Sequence, residues 1–128
     1  MRASREEMQA VLEARGAVIR EAEWGEMHSG FETYRSRTDM AQLFQGLPND
    51  SCQCPHWGYV IKGAYRVRYT DGTEEVFRAG DAYYMPPGHS PVMDADSEII
   101  EFSPMEALKE TMEVVERNLP SWLASASA

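Results

Sequence analysis

Four side chains able to hold a soft or borderline metal ion bracket the middle of this 128-residue chain. Cys52, Cys54 and His56 stand at alternate positions in Cys-Gln-Cys-Pro-His, and His89 directly follows Pro86-Pro87-Gly88. On an extended strand, side chains two apart point the same way. The spacing therefore predicts Cys52, Cys54 and His56 on one face, with Pro55 the residue able to bend the strand and break that parity. Thiolate and imidazole donors together favour zinc or iron over magnesium or calcium. With His89 added, four protein ligands would make a closed, structural site; three would leave a position for water or substrate. The same residues admit a metal-free reading. The cysteines are then small buried hydrophobes, and His56 and His89 are hydrogen-bonded pocket residues. A disulfide between cysteines two apart would close a small, strained ring, so free thiols or ligands fit a reducing compartment better.

Other groups could join this chemistry. Glu98 and Glu101 have opposite parity on one predicted strand, so at most one faces inward. An inward Glu101 beside His56 or His89 could orient an imidazole or act as a general base. Tyr83 and Tyr84 must straddle the two faces of their strand, and an inward phenol could contact a ligand. The candidates are thus His56, His89 and Glu101 for catalysis, and Tyr83 and Tyr84 for ligand contact. The metal candidates are Cys52, Cys54, His56 and His89. Arg66 and Arg68 alternate against Tyr65, Val67 and Tyr69 and are expected in solvent, while Trp57 reads as a structural aromatic. His28 has no partner visible in the sequence and is expected at the surface. Cys54 paired with His56 could make a nucleophile, but no oxyanion-hole motif accompanies it.

The elements that must position these groups are mostly strands. Residues 17–19, 31–35, 57–61, 64–70, 73–78, 82–85, 91–93 and 98–102 carry β-type composition or alternation. Asp71-Gly72 is a hairpin turn. Short strands with turn residues about every ten positions predict a sandwich or barrel. A helix is expected over residues 4–15, with Ser4 and Glu7 as a capping box, Met8, Val11 and Leu12 as its apolar stripe and Gly16 as its stop. A second helix is expected after Ser103 as cap and Pro104 as first residue. Its buried stripe would be Leu108, Met112, Val115 and Leu119, with Pro120 just past its end. The reading is one domain: residues 1–30 as helix and lead-in strand, 31–104 as the barrel with its motifs in 52–104, and 105–128 as the closing helix and tail. Residues 125–128 read as a frayed end.

Composition narrows the partners. Asp and Glu number 21 against 12 Lys and Arg, a formal charge of −9. Such a surface repels nucleic-acid phosphates and anionic lipid, which argues against both as partners. No apolar run is long enough to span a membrane. The N-terminus lacks the apolar core of a signal peptide, so the chain reads as cytoplasmic.

The central motifs resemble those of the cupin superfamily. The family's second motif runs Gly, five residues, Pro, one residue, Gly, two residues, His, and residues 80–88 match its first part through Gly80, Pro86 and Gly88. The family histidine would fall at Pro91; His89 lies two residues earlier. In the first motif, Tyr59-Val60-Ile61-Lys62-Gly63 resembles the closing strand. His56 stands where the family usually has Glu, and Cys52 and Cys54 lie near the place of its paired histidines. The resemblance implies an all-β, jelly-roll cupin barrel, here with flanking N- and C-terminal helices. It implies an interior pocket, often a divalent metal, and often a homodimer, formed here through edge strands or the C-terminal helix. Three functions follow as expectations. The chain is a zinc- or iron-dependent protein acting on a small organic molecule, a metal-free small-molecule binder or sensor, or a barrel stapled by a purely structural metal.

Overall fold

Alternating apolar and polar residues build two antiparallel sheets that bury one face of each strand against the other sheet. A computed structural model of the chain describes residues 1–125. The strands in chain order are β1 (Gln9–Ala14), β2 (Ala17–Trp24), β3 (Met27–Tyr34), β4 (Thr38–Asp39), β5 (His56–Lys62), β6 (Ala64–Tyr69), β7 (Glu74–Arg78), β8 (Ala82–Met85), β9 (His89–Met93) and β10 (Ser97–Pro104). Helix α1 (Met105–Ala124) follows. One sheet has the order β1-β2-β3-β10-β5-β8 and the other β4-β9-β6-β7. Among the described residues no ladder joins the two sheets, so the expected barrel is an unclosed sandwich.

The core between the sheets is aromatic at its centre. Tyr65 from β6, Phe77 from β7 and Tyr83 from β8 pack together, with Phe77 and Tyr83 stacked at 4.6 Å and Tyr65 edge-on to both. Val60, Met85, Met93 and Ile99 complete it with essentially no exposure. Each such side chain stabilises by about 1.5–3 kcal/mol when fully buried. The alternation read in residues 64–70 holds: Tyr65 and Val67 are buried, and Arg66 and Arg68 are exposed.

The N-terminal helix does not form. Residues 5–7 make a single 3-10 turn, and Gln9–Ala14 is a strand paired with β2. Ser4 does not cap; its hydroxyl bonds the Glu7 carboxylate at 2.9 Å. Gly16 is not a helix stop either. Ala14 pairs with Ala17 across Arg15 and Gly16, both at positive φ (55° and 78°), the geometry of a tight hairpin turn. Five residues of β1 pair with β2, with Val11 skipped at a bulge, and that tertiary pairing outweighs the modest helical propensity of the segment. From Gln9 onward this segment therefore belongs to the six-stranded sheet rather than to a helical lead-in.

The C-terminal helix forms with shifted ends. Ser103 belongs to β10, Pro104 occupies the cap, and Pro120 lies inside α1. Its buried positions are Thr111 and Trp122, while Met112 is exposed. Leu108, Val115 and Leu119 are partly buried against Leu43, Phe44, Cys52, Cys54 and Trp122. Contacts that pin the helix include Trp122 Nε1 donating to the Asp39 carbonyl at 3.2 Å, Asn118 donating to the Leu43 carbonyl at 2.9 Å, and the Arg15 guanidinium 4.2 Å over the Trp122 ring. Of the tail read as frayed, Ser125 closes the helix and residues 126–128 lie outside those described. No described helix is long and apolar enough to cross a membrane.

Candidate metal centre

The segment before β5 is laced to the start of β9. Cys52 N–H donates to the His89 carbonyl at 2.8 Å, and Gly88 N–H donates to the Cys52 carbonyl at 2.8 Å. This places Cys52 beside His89, the first residue of β9 in one sheet, while His56 begins β5 in the other. The cluster therefore sits where the two sheets meet. One ligand atom from each of Cys52, His56 and His89 lies within 4.8 Å of the other two. The two rings meet edge-on at 4.9 Å, and Cys52 Sγ is 3.6 Å from His56 Nε2. All three side chains are buried.

Each imidazole is oriented from behind. His89 Nδ1–H donates to the Pro86 carbonyl at 2.6 Å. A carbonyl only accepts, so this bond puts the proton on Nδ1 and leaves Nε2 with its lone pair. His56 Nδ1 shares a 2.6 Å hydrogen bond with Ser103 Oγ, and its Nε2 faces the Cys52 sulfur. Burial pushes both histidines down to about 4, with each other's proximity adding at His89, so both rings are neutral at pH 7. Burial pushes the Cys52 thiol up to about 12.

Cys54 does not join the cluster. Its Sγ lies 3.4 Å from the Pro55 carbonyl, and like Cys52 it is buried under α1 with Leu43, Phe44 and Trp122. The common parity expected of Cys52, Cys54 and His56 fails because β5 starts only at His56 and the three residues before it are irregular, as Pro55 would impose. Of the four candidate ligands, three meet: Cys52, His56 and His89.

Glu101 faces inward and Glu98 outward. Glu101 Oε1 accepts from Tyr83 at 2.7 Å and, more weakly, from Tyr65 at 3.4 Å; its Oε2 is 3.7 Å from His56 Nδ1. Glu98 instead pairs with Arg5 at 2.7 Å. Tyr83 is the inward member of its pair. Tyr84 points out, half exposed, and packs on Trp57 at 5.1 Å, so it is no part of the site. Glu101, Gly30 of β3 and Gly58 of β5 are direct cross-strand neighbours, and Tyr83 lies beyond Gly58. A methyl at Gly58 would lie 2.5 Å from the Tyr83 phenol, so a glycine there is what lets the ring lie across β5 to reach Glu101.

Three contributors were not read from the sequence as site residues. Glu32, half-buried on β3, accepts a hydrogen bond from the Tyr34 hydroxyl. Burial and the Glu101 charge push Glu32 up to about 7, and burial pushes Glu101 to about 7 against the pull of its tyrosine donors. The alternation of Phe31-Glu32-Thr33-Tyr34 put Glu32 and Tyr34 on one face, and Tyr34 as a core residue would have carried Glu32 inward. Ser103 carried no such mark, since its Ser-Pro context reads as a helix cap. His28, expected at the surface, is partly buried on the inner face beside Ser103 and bonds Glu21 at 2.8 Å. Two surface depressions, of about 550 Å³ against Arg15 and Trp122 and about 330 Å³ against Tyr69 and Gly88, lie outside the cluster.

No protein-family profile matches the sequence, and no curated protein matches it. Solved structures do. An RmlC-like cupin from Shewanella frigidimarina aligns at 17% identity over 80% of this chain and 87% of its own, with a TM-score of 0.57. The polyketide cyclase RemF from Streptomyces resistomycificus aligns at 15% identity over 82% and 79%, with a TM-score of 0.57. KdgF from Halomonas sp. aligns at 20% identity over 79% and 90%, with a TM-score of 0.54. At these identities the likeness is one of fold, and the fold is that of a small cupin.

Proposed function

We propose that this cupin-fold chain binds one zinc- or iron-class divalent metal through Cys52, His56 and His89, and uses it to bind or transform a small organic molecule. The observation that carries this reading is the hydrogen bond from His89 Nδ1 to the Pro86 carbonyl. It fixes the tautomer in which His89 Nε2 keeps its lone pair, and the Ser103 contact holds the His56 ring with Nε2 toward the Cys52 sulfur. One sulfur and two imidazole nitrogens fit zinc or iron, and three protein ligands leave a position for a small molecule. Bound there, the metal would supply Lewis-acid polarisation of an oxygen on that molecule. The chain's own residues do the rest. Ser103 and Pro86 hold the two rings in place. Glu101, near neutrality in its protonation and fixed by Tyr83 and Tyr65, is the group able to hold or give up a proton beside His56.

Burial of all three ligands favours a second reading, in which the metal only staples β5 to β9. A small anion such as azide, added to the metal-loaded protein, separates the two: it perturbs an open site and leaves a closed one unchanged.

The proton count tests the metal assignment. In the metal-free protein Cys52, held at about 12, keeps its proton at neutral pH, whereas both histidines are already neutral. Loading the site must therefore release about one proton per chain, and affinity must rise about tenfold per pH unit between pH 6 and 9. Calorimetry in buffers of different ionisation enthalpy reads this number directly. A release near zero would remove Cys52 from the ligand set; a release near two would bring in Cys54.

A further inference from the structure

Helix α1 lies over Cys52 and meets it with a hydroxyl. Ala107, Leu108, Thr111 and Val115 recur at the spacing that puts side chains on one face of a helix. Ala107, Leu108 and Val115 pack on the cluster that holds Cys52 and Cys54. Thr111 stands in the middle of that face and is 2% exposed. An alanine or leucine would suit a helix better there, and a buried hydroxyl costs stability unless it is hydrogen-bonded. Its partner is the Cys52 sulfur. Burial pushes the Cys52 thiol up, and two hydrogen-bond partners, the Cys54 backbone and the Thr111 hydroxyl, pull it back. The other polar holds on α1 lie toward its ends. Met105 N–H donates to the Glu26 carbonyl at 2.9 Å, and Asn118 and Trp122 bond the carbonyls of Leu43 and Asp39.

We propose that Thr111 is a positioning residue of the metal centre: its hydroxyl donates to the Cys52 sulfur when metal is bound, and loading the site thereby draws the middle of α1 onto it. The inference rests on the metal assignment above. In the metal-free protein the Cys52 thiol carries its own proton, with His56 Nε2 at 3.6 Å and the Cys54 carbonyl at 3.9 Å as acceptors. A metal-bound sulfur is a thiolate, has no proton and only accepts. His56 Nε2, then a ligand, cannot donate to it. The Cys54 backbone and the Thr111 hydroxyl remain, and only the second belongs to α1. A hydrogen bond to an ionised acceptor is roughly twice as strong as one between neutral groups. The contact between α1 and Cys52 is therefore stronger in the loaded chain than in the empty one. By reciprocity, a helix held down on Cys52 favours loading.

Cobalt(II) titration and hydrogen exchange of the full chain test this. Thr111→Val keeps the shape of the side chain and removes the donor; Thr111→Ser keeps the donor. Thr111→Val is expected to bind cobalt about 10-fold more weakly, the loss typical when a metal ligand forfeits its hydrogen-bond partner. Its thiolate-to-cobalt charge-transfer band is expected at longer wavelength, because a donor lowers the energy of the sulfur lone pairs. Thr111→Ser is expected to keep the wild-type affinity and band. In the wild type, saturating cobalt is expected to slow amide exchange over residues 107–115 about fivefold more than over residues 118–122. A Thr111→Val chain with wild-type affinity and band overturns the inference and leaves the metal assignment standing. A wild type that takes up no cobalt overturns both. Should Thr111→Val fail to fold, the wild-type exchange carries the test: slowing over residues 107–115 no greater than over 118–122 overturns the inference.

Discussion

His89→Ala lowers metal affinity by at least about 100-fold, and Cys52→Ala does the same, while Cys54→Ala leaves it unchanged. The floor on the effect comes from the partners of metal ligands, whose loss alone typically costs 10–100-fold; loss of a ligand itself costs more. The contrast between the cysteines follows from placement. Cys52 shares backbone hydrogen bonds with residues 88 and 89 and offers its sulfur 3.6 Å from His56 Nε2. Cys54 shares the apolar cluster beneath α1 with Cys52, but its Sγ meets the Pro55 carbonyl at 3.4 Å and it lies outside the group whose ligand atoms converge. Its replacement is expected to cost only packing, a loss of about 1 kcal/mol in stability. Equilibrium dialysis against zinc, followed by elemental analysis of each variant, measures all three. Equal retention by Cys52→Ala and wild type would take the sulfur out of the site.

The second large effect is on stability. A Cβ at Gly58 would stand 2.5 Å from the Tyr83 ring and 2.6 Å from the Ile100 carbonyl. The carbonyl is fixed in the β10–β5 ladder, so Tyr83 must move, and it then loses its 2.7 Å bond to Glu101. Overpacking costs about 1–3 kcal/mol, and a buried hydrogen bond to a carboxylate contributes about 1.5–3 kcal/mol. Gly58→Ala is therefore expected to destabilise by about 3 kcal/mol, lowering the melting temperature by roughly 10 °C for a domain of this size. Gly30→Ala is the matched control in the same cross-strand row. Its nearest contact is a carboxylate oxygen of Glu32 at 3.3 Å, which needs to give by only a few tenths of an ångström, and the expected loss is under about 1 kcal/mol. Thermal unfolding of the two variants side by side decides the matter: equal shifts would mean that Tyr83 is not held by the close approach at Gly58.

Much of the sheet architecture was legible because a two-residue period survives in short windows. Residues 64–70 and 82–85 marked β6, with Tyr65 inward, and β8, where alternation required one inward tyrosine without saying which. The first fifteen residues were misread for a physical reason. Met8, Val11 and Leu12 fit one face of a helix, and Arg15-Gly16 fits either a helix end or a hairpin turn. Only the pairing with β2, a tertiary fact, chooses between them. The site was half legible. Cys52, His56 and His89 were visible as residue types with a spacing, and they meet. The assignment of Cys54 relied on strand parity where no strand exists. Glu98 and Glu101 could not be separated by alternation alone, because each shares its parity with one isoleucine; the pairing of β10 with β3 and β5 separates them. Ser103 was hidden by its proline neighbour, and the contact with His56 joins residues 47 positions apart.

The most direct test of the metal centre is optical titration of the metal-free wild-type chain with cobalt(II), a stand-in for zinc whose spectrum reports its ligands. The account predicts saturation at one ion per chain, a thiolate-to-cobalt charge-transfer band that is lost in Cys52→Ser and kept in Cys54→Ser, and visible bands of tetrahedral intensity. Absence of saturable binding under reducing conditions, or a charge-transfer band that survives in Cys52→Ser, would contradict it.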